Sequence, residues 1–312
     1  MRFLVMGAGA IGSVFGGLLA KDGHDVALVG RQPHMGAVRD HGLSIGGIWG
    51  EHLVLGVETA TDVASLPPHV YDAVLITTKA YDTADAVREA LPAVGPETLV
   101  VSLQNGLGNL EVIEAAVGAE RTVGARVIFG VDLERPGRAM VTVWGGDVML
   151  GHPRGGPPSD RIVALAGVFT HAGIKSQAID NVLAYIWGKV LYNVALNALS
   201  ALLGVPYGKL PEQEPTRRLM EEMIAESFAV ARAVGAPLLW PGPEEYCRVL
   251  FDELVPPTAP HYSSMYADLQ HGKRTEIDAM NGAIVRLGRE HGVPAPMNQT
   301  VSLLIKAAEA RR

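Results

Sequence analysis

The chain has 312 residues and a mass of 33.1 kDa, which suits two domains of roughly 100–200 residues each better than one core. Hydrophobic residues make up 48% and charged residues 19%, a balance that can bury a sizeable interior and excludes an intrinsically disordered segment. The formal charge is −7, from 26 basic and 33 acidic residues with no run of Lys or Arg, which argues against nucleic acid or an anionic membrane as partner.

Cys247 is the single cysteine, so neither a disulfide framework nor a cysteine zinc site can form, and a reducing cytoplasm fits. The histidines show no H-x-x-x-H pair and no carboxylate cluster at ligand spacing, so no metal is expected. No secretory leader is expected either, because the apolar start runs straight into a glycine-rich turn.

Over the first 150 residues, short apolar runs alternate with helical patterns, the signature of βαβ units and a parallel sheet. Residues 3–6 read as a first strand, 11–22 as a helix and 25–29 as a second strand. Later strands are expected at 72–77 and 98–102, with helices at 80–90 and 110–117. Residues 139–151 alternate around turn glycines and read as an antiparallel edge or hairpin; a loop at 155–158 precedes a helix at 160–171. Beyond about residue 180 the strand-like runs cease, and helical patterns follow at 181–203, 214–233, 243–254, 264–270 and 276–291. The reading is an α/β protein with a Rossmann-type doubly wound sheet over residues 1–180 and an all-helical domain over 181–312.

Gly7-Ala8-Gly9-Ala10-Ile11-Gly12 follows the first strand and opens a helix. In that setting Gly7 permits a tight turn, Gly9 lets backbone approach a pyrophosphate, and Gly12 lets helix and strand pack closely. The helix N-terminus then offers free N–H donors and a partial positive charge to phosphates. An NAD site would carry an acid at the end of the second strand, to accept from the ribose 2′-hydroxyl. Here Arg31 stands nineteen residues beyond Gly12, where a guanidinium can pair with a 2′-phosphate, so NADPH/NADP+ is favoured. Lys79 and the segment Gln104-Asn105-Gly106 fall just past later strands, where ligands bind in open α/β sheets, although ordinary loop polarity explains them nearly as well.

Within 182–205, Lys189, Asn193 and Asn197 recur at i, i+4 and i+8, which places them on one helical stripe about 12 Å long. The other faces are apolar, so the helix should be buried nearly all round, and a cation with two amides costs too much in lipid for a membrane span. Such buried polar groups need partners, which either a substrate cleft or an interhelical network would supply. Glu276 reads as a first-turn acid behind a Thr275 cap.

Taken in order, the glycine loop, Arg31, Lys79-Ala80, Gln104-Asn105-Gly106, Lys189-x-x-x-Asn193-x-x-x-Asn197, Ser263-Ser264-Met265 and Thr275-Glu276-Ile277-Asp278 resemble the ketopantoate reductase (2-dehydropantoate 2-reductase) family, from Met1 to about Asn298. The resemblance implies NADPH-dependent reduction of ketopantoate to (R)-pantoate in pantothenate, hence coenzyme A, biosynthesis. It also implies Lys189 as general acid and Glu276 as the acid that hydrogen-bonds the substrate hydroxyl. By the same resemblance Asn193, Asn197 and Ser264 bind substrate, Asn105 lies between cofactor and substrate, and Lys79 lies on the cofactor side. Tyr207 stands where the family carries a further asparagine, which touches substrate identity more than reaction type. Two other readings remain: a related NADPH-dependent reductase of another 2-oxo acid, and a non-catalytic NADP(H) sensor. The apolar helices can bury one another within a monomer or pair across a homodimer face, and the sequence favours neither.

Overall fold

The computed structural model describes residues 1–68 and 70–311. Its chain divides into two compact units, one of Met1–Gln104 with Asn109–Val182, the other of Asn105–Gly108 with Leu183 onward. Against a boundary expected near residue 180, the change of unit falls after Val182, and a four-residue segment near 105 belongs with the later residues.

In the first unit the elements run β1 (Arg2–Met6), α1 (Ala10–Lys21), β2 (Asp25–Val29), α2 (Gln32–His41), β3 (Leu43–Gly47), β4 (His52–Val54), β5 (Glu58–Ala60) and β6 (Tyr71–Ile76). They continue through α3 (Thr83–Ala90), β7 (Val94–Ser102), α4 (Asn109–Val117), β8 (Thr122–Arg126), β9 (Phe129–Arg135), β10 (Arg138–Trp144), β11 (Val148–Gly151), α5 (Asp160–His171) and β12 (Ser176–Ala178). The main sheet has the order β12-β11-β8-β7-β6-β1-β2-β5. From β5 to β8 all neighbours are parallel, in the 3-2-1-4-5-6 order of dinucleotide-binding sheets. Alternate residues feed opposite faces, and both faces are covered. Phe3, Val5, Leu28 and Leu75 pack on the α1 and α5 side with Phe15 and Phe169. Leu4, Met6, Val74 and Ile76 pack on the α3 and α4 side with Val87 and Ile113. Strands buried on both faces read as continuous apolar runs, which is why these were visible in the sequence.

The antiparallel pairing expected at 139–151 is present, but the segment does not form one hairpin. β10 pairs antiparallel with β9 and parallel with β3 in a second, four-stranded sheet ordered β4-β3-β10-β9. β11 instead joins the main sheet, antiparallel to β8 and parallel to β12. Two adjacent strands thus serve different sheets, a choice set by partners distant in sequence rather than by the alternation itself.

The second unit is helical: α6 (Val182–Leu203), α7 (Glu214–Ala233), α8 (Pro243–Val249), α9 (Ser264–Gln270), α10 (Asn281–Glu290) and α11 (Pro296–Glu309). α6 is long and apolar enough to span a membrane by length and composition, yet 67% of its most apolar stretch is buried inside the protein. It packs into a core with Met220, Ile224, Phe228, Tyr246 and Ile284. Gly204, at φ +67°, ends it with its N–H on Ser200 O, and Pro206 follows. The helix expected at 276–291 does not begin at Glu276: a 3₁₀ turn at Ile277–Ala279 comes first, and α10 starts only at Asn281. At the far side, Glu226 accepts from the Met297 and Asn298 N–H groups, capping α11. Asn281 and Asn298 complete that buried network through Val194 O and Met223 O.

Candidate active site

In the first unit, parallel register brings four strand ends into one row: Met6 stands beside Val29 on one side and Ile76 on the other, and Ile76 beside Ser102. The segments that follow them therefore share one edge of the sheet. The glycine loop is pinned there by backbone bonds from the Gly7 and Ala8 N–H groups to Val29 O. Its three glycines differ in purpose. Gly7 has φ +91°, and a Cβ there would lie 2.5 Å from Thr78 Cγ2. At Gly12 a Cβ would lie 2.6 Å from Thr77 Oγ1 and 2.9 Å from Gly7 O. At Gly9 the only atom a Cβ would meet is Gly7 O at 3.8 Å, so this position is open on the ligand side. Ala10 and Ile11 form the first turn of α1, which carries no side-chain cap and no acid, leaving its dipole for an anion. The residues present fit a dinucleotide pyrophosphate.

Arg31 follows β2 as the N-cap residue of α2 and is exposed, and among the described residues no side-chain hydrogen bond or ion pair engages it. Gly30 before it is held against Ala8, where a Cβ would come within 3.3 Å of Ala8 Cβ. Lys79 is half-buried at the turn after β6, where its carbonyl accepts from Asp82 N–H. Two residues of these strand-end segments brace the scaffold. Thr77 donates its hydroxyl to Met6 O and Gly7 O, bracing the glycine loop. Gln104 donates to Thr78 O and Thr83 Oγ1, and Thr83 donates to Asn109 Oδ1, so the amide of Gln104 belongs to the scaffold. A hydroxyl residue directly after a buried strand was the available signal for Thr77.

The second unit gathers its candidates from four stretches. On α6, Lys189 is half-buried, while Asn193 and Asn197 are 6% and 3% exposed. Gly188 leaves room for the Trp240 ring, 3.0 Å from where a Cβ would stand, and so seats that face of the helix. Asn197 accepts at Oδ1 from the Tyr207 hydroxyl (2.6 Å) and donates from Nδ2 to Met280 Sδ (3.4 Å). The backbone carbonyl of Asn197 accepts from Ser263 Oγ. Ser263 is the buried N-cap of α9, also accepting from Tyr266 N–H, whereas Ser264 behind it is exposed. Glu276 is 6% exposed and precedes the 3₁₀ turn. The segment carrying Asn105 is clipped to that turn: Leu107 N–H donates to Ala279 O at 2.8 Å, and Gly106 has φ +86° with a Cβ position only 2.4 Å from the same oxygen. The stripe, the Ser263 cap, the Glu276 turn and the Asn105 segment are thereby bonded into one cluster.

Asn193 stands apart within it. No side-chain hydrogen bond engages its amide among the described residues, and the second N–H of Asn197, one turn away, has no partner among them either. The Asn193 amide is not among the fully buried polar atoms left without a partner, so it reaches solvent and is available to a ligand that accepts hydrogen bonds. Tyr207, by contrast, is fully committed: burial pushes its phenol well above the ordinary range, so it remains a donor.

The chain is similar to known proteins over nearly its whole length. The family model described as "Ketopantoate reductase PanE/ApbA" matches residues 3–155, and its C-terminal counterpart matches residues 181–309. A 2-dehydropantoate 2-reductase of Aquifex aeolicus is 40% identical over 310 residues, covering 99% of this chain and 97% of the relative. The crystal structure of a PanE/ApbA family ketopantoate reductase from Ralstonia eutropha superposes with a TM-score of 0.89 at 32% identity, covering 100% of this chain and 99% of the other. D-Mandelate dehydrogenase, solved with NADH and anilino(oxo)acetate, gives a TM-score of 0.87 at 27% identity, covering 100% and 99%.

Proposed function

The chain belongs to the ketopantoate reductase family, and from that premise we propose that it reduces 2-dehydropantoate (ketopantoate) to (R)-pantoate with NADPH. The observation that carries the reading is the buried donor stripe, in which Asn193 and the spare N–H of Asn197 share one helix face with Lys189. A 2-oxo acid presents a carboxylate and a ketone, acceptors that suit two neutral amides and one ammonium.

In this reading the first unit binds the cofactor, with Gly7 to Gly12 at the pyrophosphate, Arg31 at the 2′-phosphate and Lys79 alongside. A nicotinamide held by these residues would supply a hydride to the ketone carbon. Lys189 gives a proton to the carbonyl oxygen as charge develops there, turning C=O into CH–OH. Asn193, Asn197 and Ser264 hold the substrate's polar groups, and Asn105 orients substrate against cofactor. Glu276 accepts from the substrate hydroxyl and so helps to fix the substrate at the catalytic centre.

A second reading, reduction of another bulky 2-oxo acid, is favoured by Tyr207 and by the likeness to D-mandelate dehydrogenase. Steady-state NADPH oxidation with ketopantoate, a phenyl-substituted 2-oxo acid and a short straight-chain one separates the two. The expected result is the largest kcat/KM with ketopantoate. A larger value with the phenyl acid moves the assignment to the second reading, and no oxidation with any of them sinks both.

A further inference from the structure

We infer that Tyr207 is a positioning residue of the oxo-acid site: its hydroxyl fixes the Asn197 amide in the orientation that keeps an N–H donor available to the substrate. An asparagine amide can flip end for end at little steric cost, exchanging a donor for an acceptor. At Asn197 that freedom is removed. Met280 Sδ can only accept, so Nδ2 must face it and Oδ1 turns to the Tyr207 hydroxyl, which donates to it at 2.6 Å. The nitrogen is then turned toward Met280 Sδ, and its second N–H is left for a ligand. Donation into Oδ1 also polarises the amide and strengthens that remaining N–H.

Tyr207 is itself held from several sides. Its backbone N–H donates to His261 O, and the next residue, Gly208, donates to Ala259 O. A Cβ on Gly208 would lie 2.7 Å from Ala259 Cβ, so the turn is seated directly on that segment. The ring packs edge-on to Tyr192, with centroids 5.8 Å apart, and against His261 at 5.4 Å. Tyr192 is tied in turn to Thr258 Oγ1 at 2.7 Å. A phenol ring held this firmly keeps its hydroxyl beside Asn197 Oδ1. A shorter residue on the same turn could not carry a hydroxyl to Asn197 Oδ1, so the phenol ring acts as the spacer.

The inference rests on the oxo-acid reading of the α6 stripe, and the test separates the two. Tyr207→Phe keeps the ring and removes only the donor. Pantoate is titrated calorimetrically into the NADP+-saturated protein, and steady-state constants are measured on the best 2-oxo acid. The expected outcome is a pantoate Kd and an oxo-acid KM each raised about threefold to tenfold, the weight of one neutral hydrogen bond. The kcat should stay within about twofold and the KM for NADPH should not move, since neither the proton donor nor the cofactor loop is touched. In an Asn197→Ala background the same change should add nothing. Wild-type affinity in Tyr207→Phe, with or without a lower melting temperature, overturns the proposal and leaves the reductase reading standing. So does a full effect persisting in the Asn197→Ala background. A wild-type protein that neither binds pantoate nor reduces any 2-oxo acid overturns both.

Discussion

The two units offer a ligand different materials. At the β1–α1 turn the binding capacity is backbone: uncapped N–H groups, and open space at Gly9 where a side chain would otherwise stand. Along α6 it is side chain: a half-buried lysine and two buried amides, that of Asn197 bonded to Tyr207 and Met280. Backbone donors are fixed as soon as strand and helix form, and they suit a ligand common to many enzymes. Side-chain donors depend on neighbours distant in sequence, and they can be altered one at a time. On the proposed function, selectivity among oxo acids belongs to the helical unit, and binding of the shared cofactor to the sheet.

The sharpest test of the side-chain half is Lys189→Ala, which should lower kcat about 10²–10⁴-fold, the usual worth of general acid–base catalysis. Cofactor affinity, measured by fluorescence titration of NADPH, should be unchanged. Retained turnover would remove Lys189 as the proton donor. Arg31→Ala probes the side chain proposed for the 2′-phosphate: KM for NADPH should rise about tenfold to a hundredfold, as for a lost charge-assisted hydrogen bond, with KM for NADH nearly unchanged. An equal rise for both cofactors would place Arg31 away from the 2′-phosphate.

Within the loop, Gly9→Ala and Gly12→Ala should fail for opposite reasons. Gly9→Ala meets only one atom, at 3.8 Å, so denaturant unfolding should stay within about 0.5 kcal/mol of wild type while NADPH Kd rises about tenfold. Gly12→Ala drives a methyl against Thr77 and Gly7 O and should lose about 1–3 kcal/mol of stability. If Gly9→Ala destabilises the fold and spares the cofactor, the division of labour among the glycines is wrong.

The smallest effect is expected from a group outside both sites. His34, buried on α2, accepts at Nδ1 from the Gly137 N–H, so its proton sits on Nε2 and is donated to Ser13 Oγ. Burial holds its pKa below the ordinary 6.5, so the folded state prefers the neutral ring. The stability it contributes is complete above pH 6.5 and is lost as pH falls through that value toward the lower folded pKa. Melting curves of wild type and His34→Leu should therefore converge as pH is lowered from 7.5 to 5.5; a gap independent of pH would exclude this ring as the titrating group.

How much was legible follows from the range of each interaction. The strand, Gly7-x-Gly9-x-x-Gly12 and Arg31 lie within thirty residues, and local backbone geometry dictates their types. Lys189, Asn193 and Asn197 were readable because helical period alone aligns them. The pairing of β10 with β3, almost a hundred residues apart, leaves no local trace, which is why 139–151 read as a hairpin. Ser263 and Ser264 are equivalent in sequence, and only the packing of α9 makes the first a cap and leaves the second exposed. The start of α10 was misplaced because Glu276 looks like a first-turn acid, whereas the backbone first makes a 3₁₀ turn that receives Leu107 N–H at Ala279 O.

That clip constrains how such a protein can be recombined. Since Asn105–Gly108 is built into the helical unit while the residues on either side of it are not, a chimera joined once near residue 182 inherits the strap from one parent and its dock from the other. Any parent lacking glycine at 106 would press a side chain onto the Ala279 carbonyl of the hybrid. Exchanging the halves cleanly takes three junctions, at 104/105, 108/109 and 182/183, even where a single cut looks sufficient.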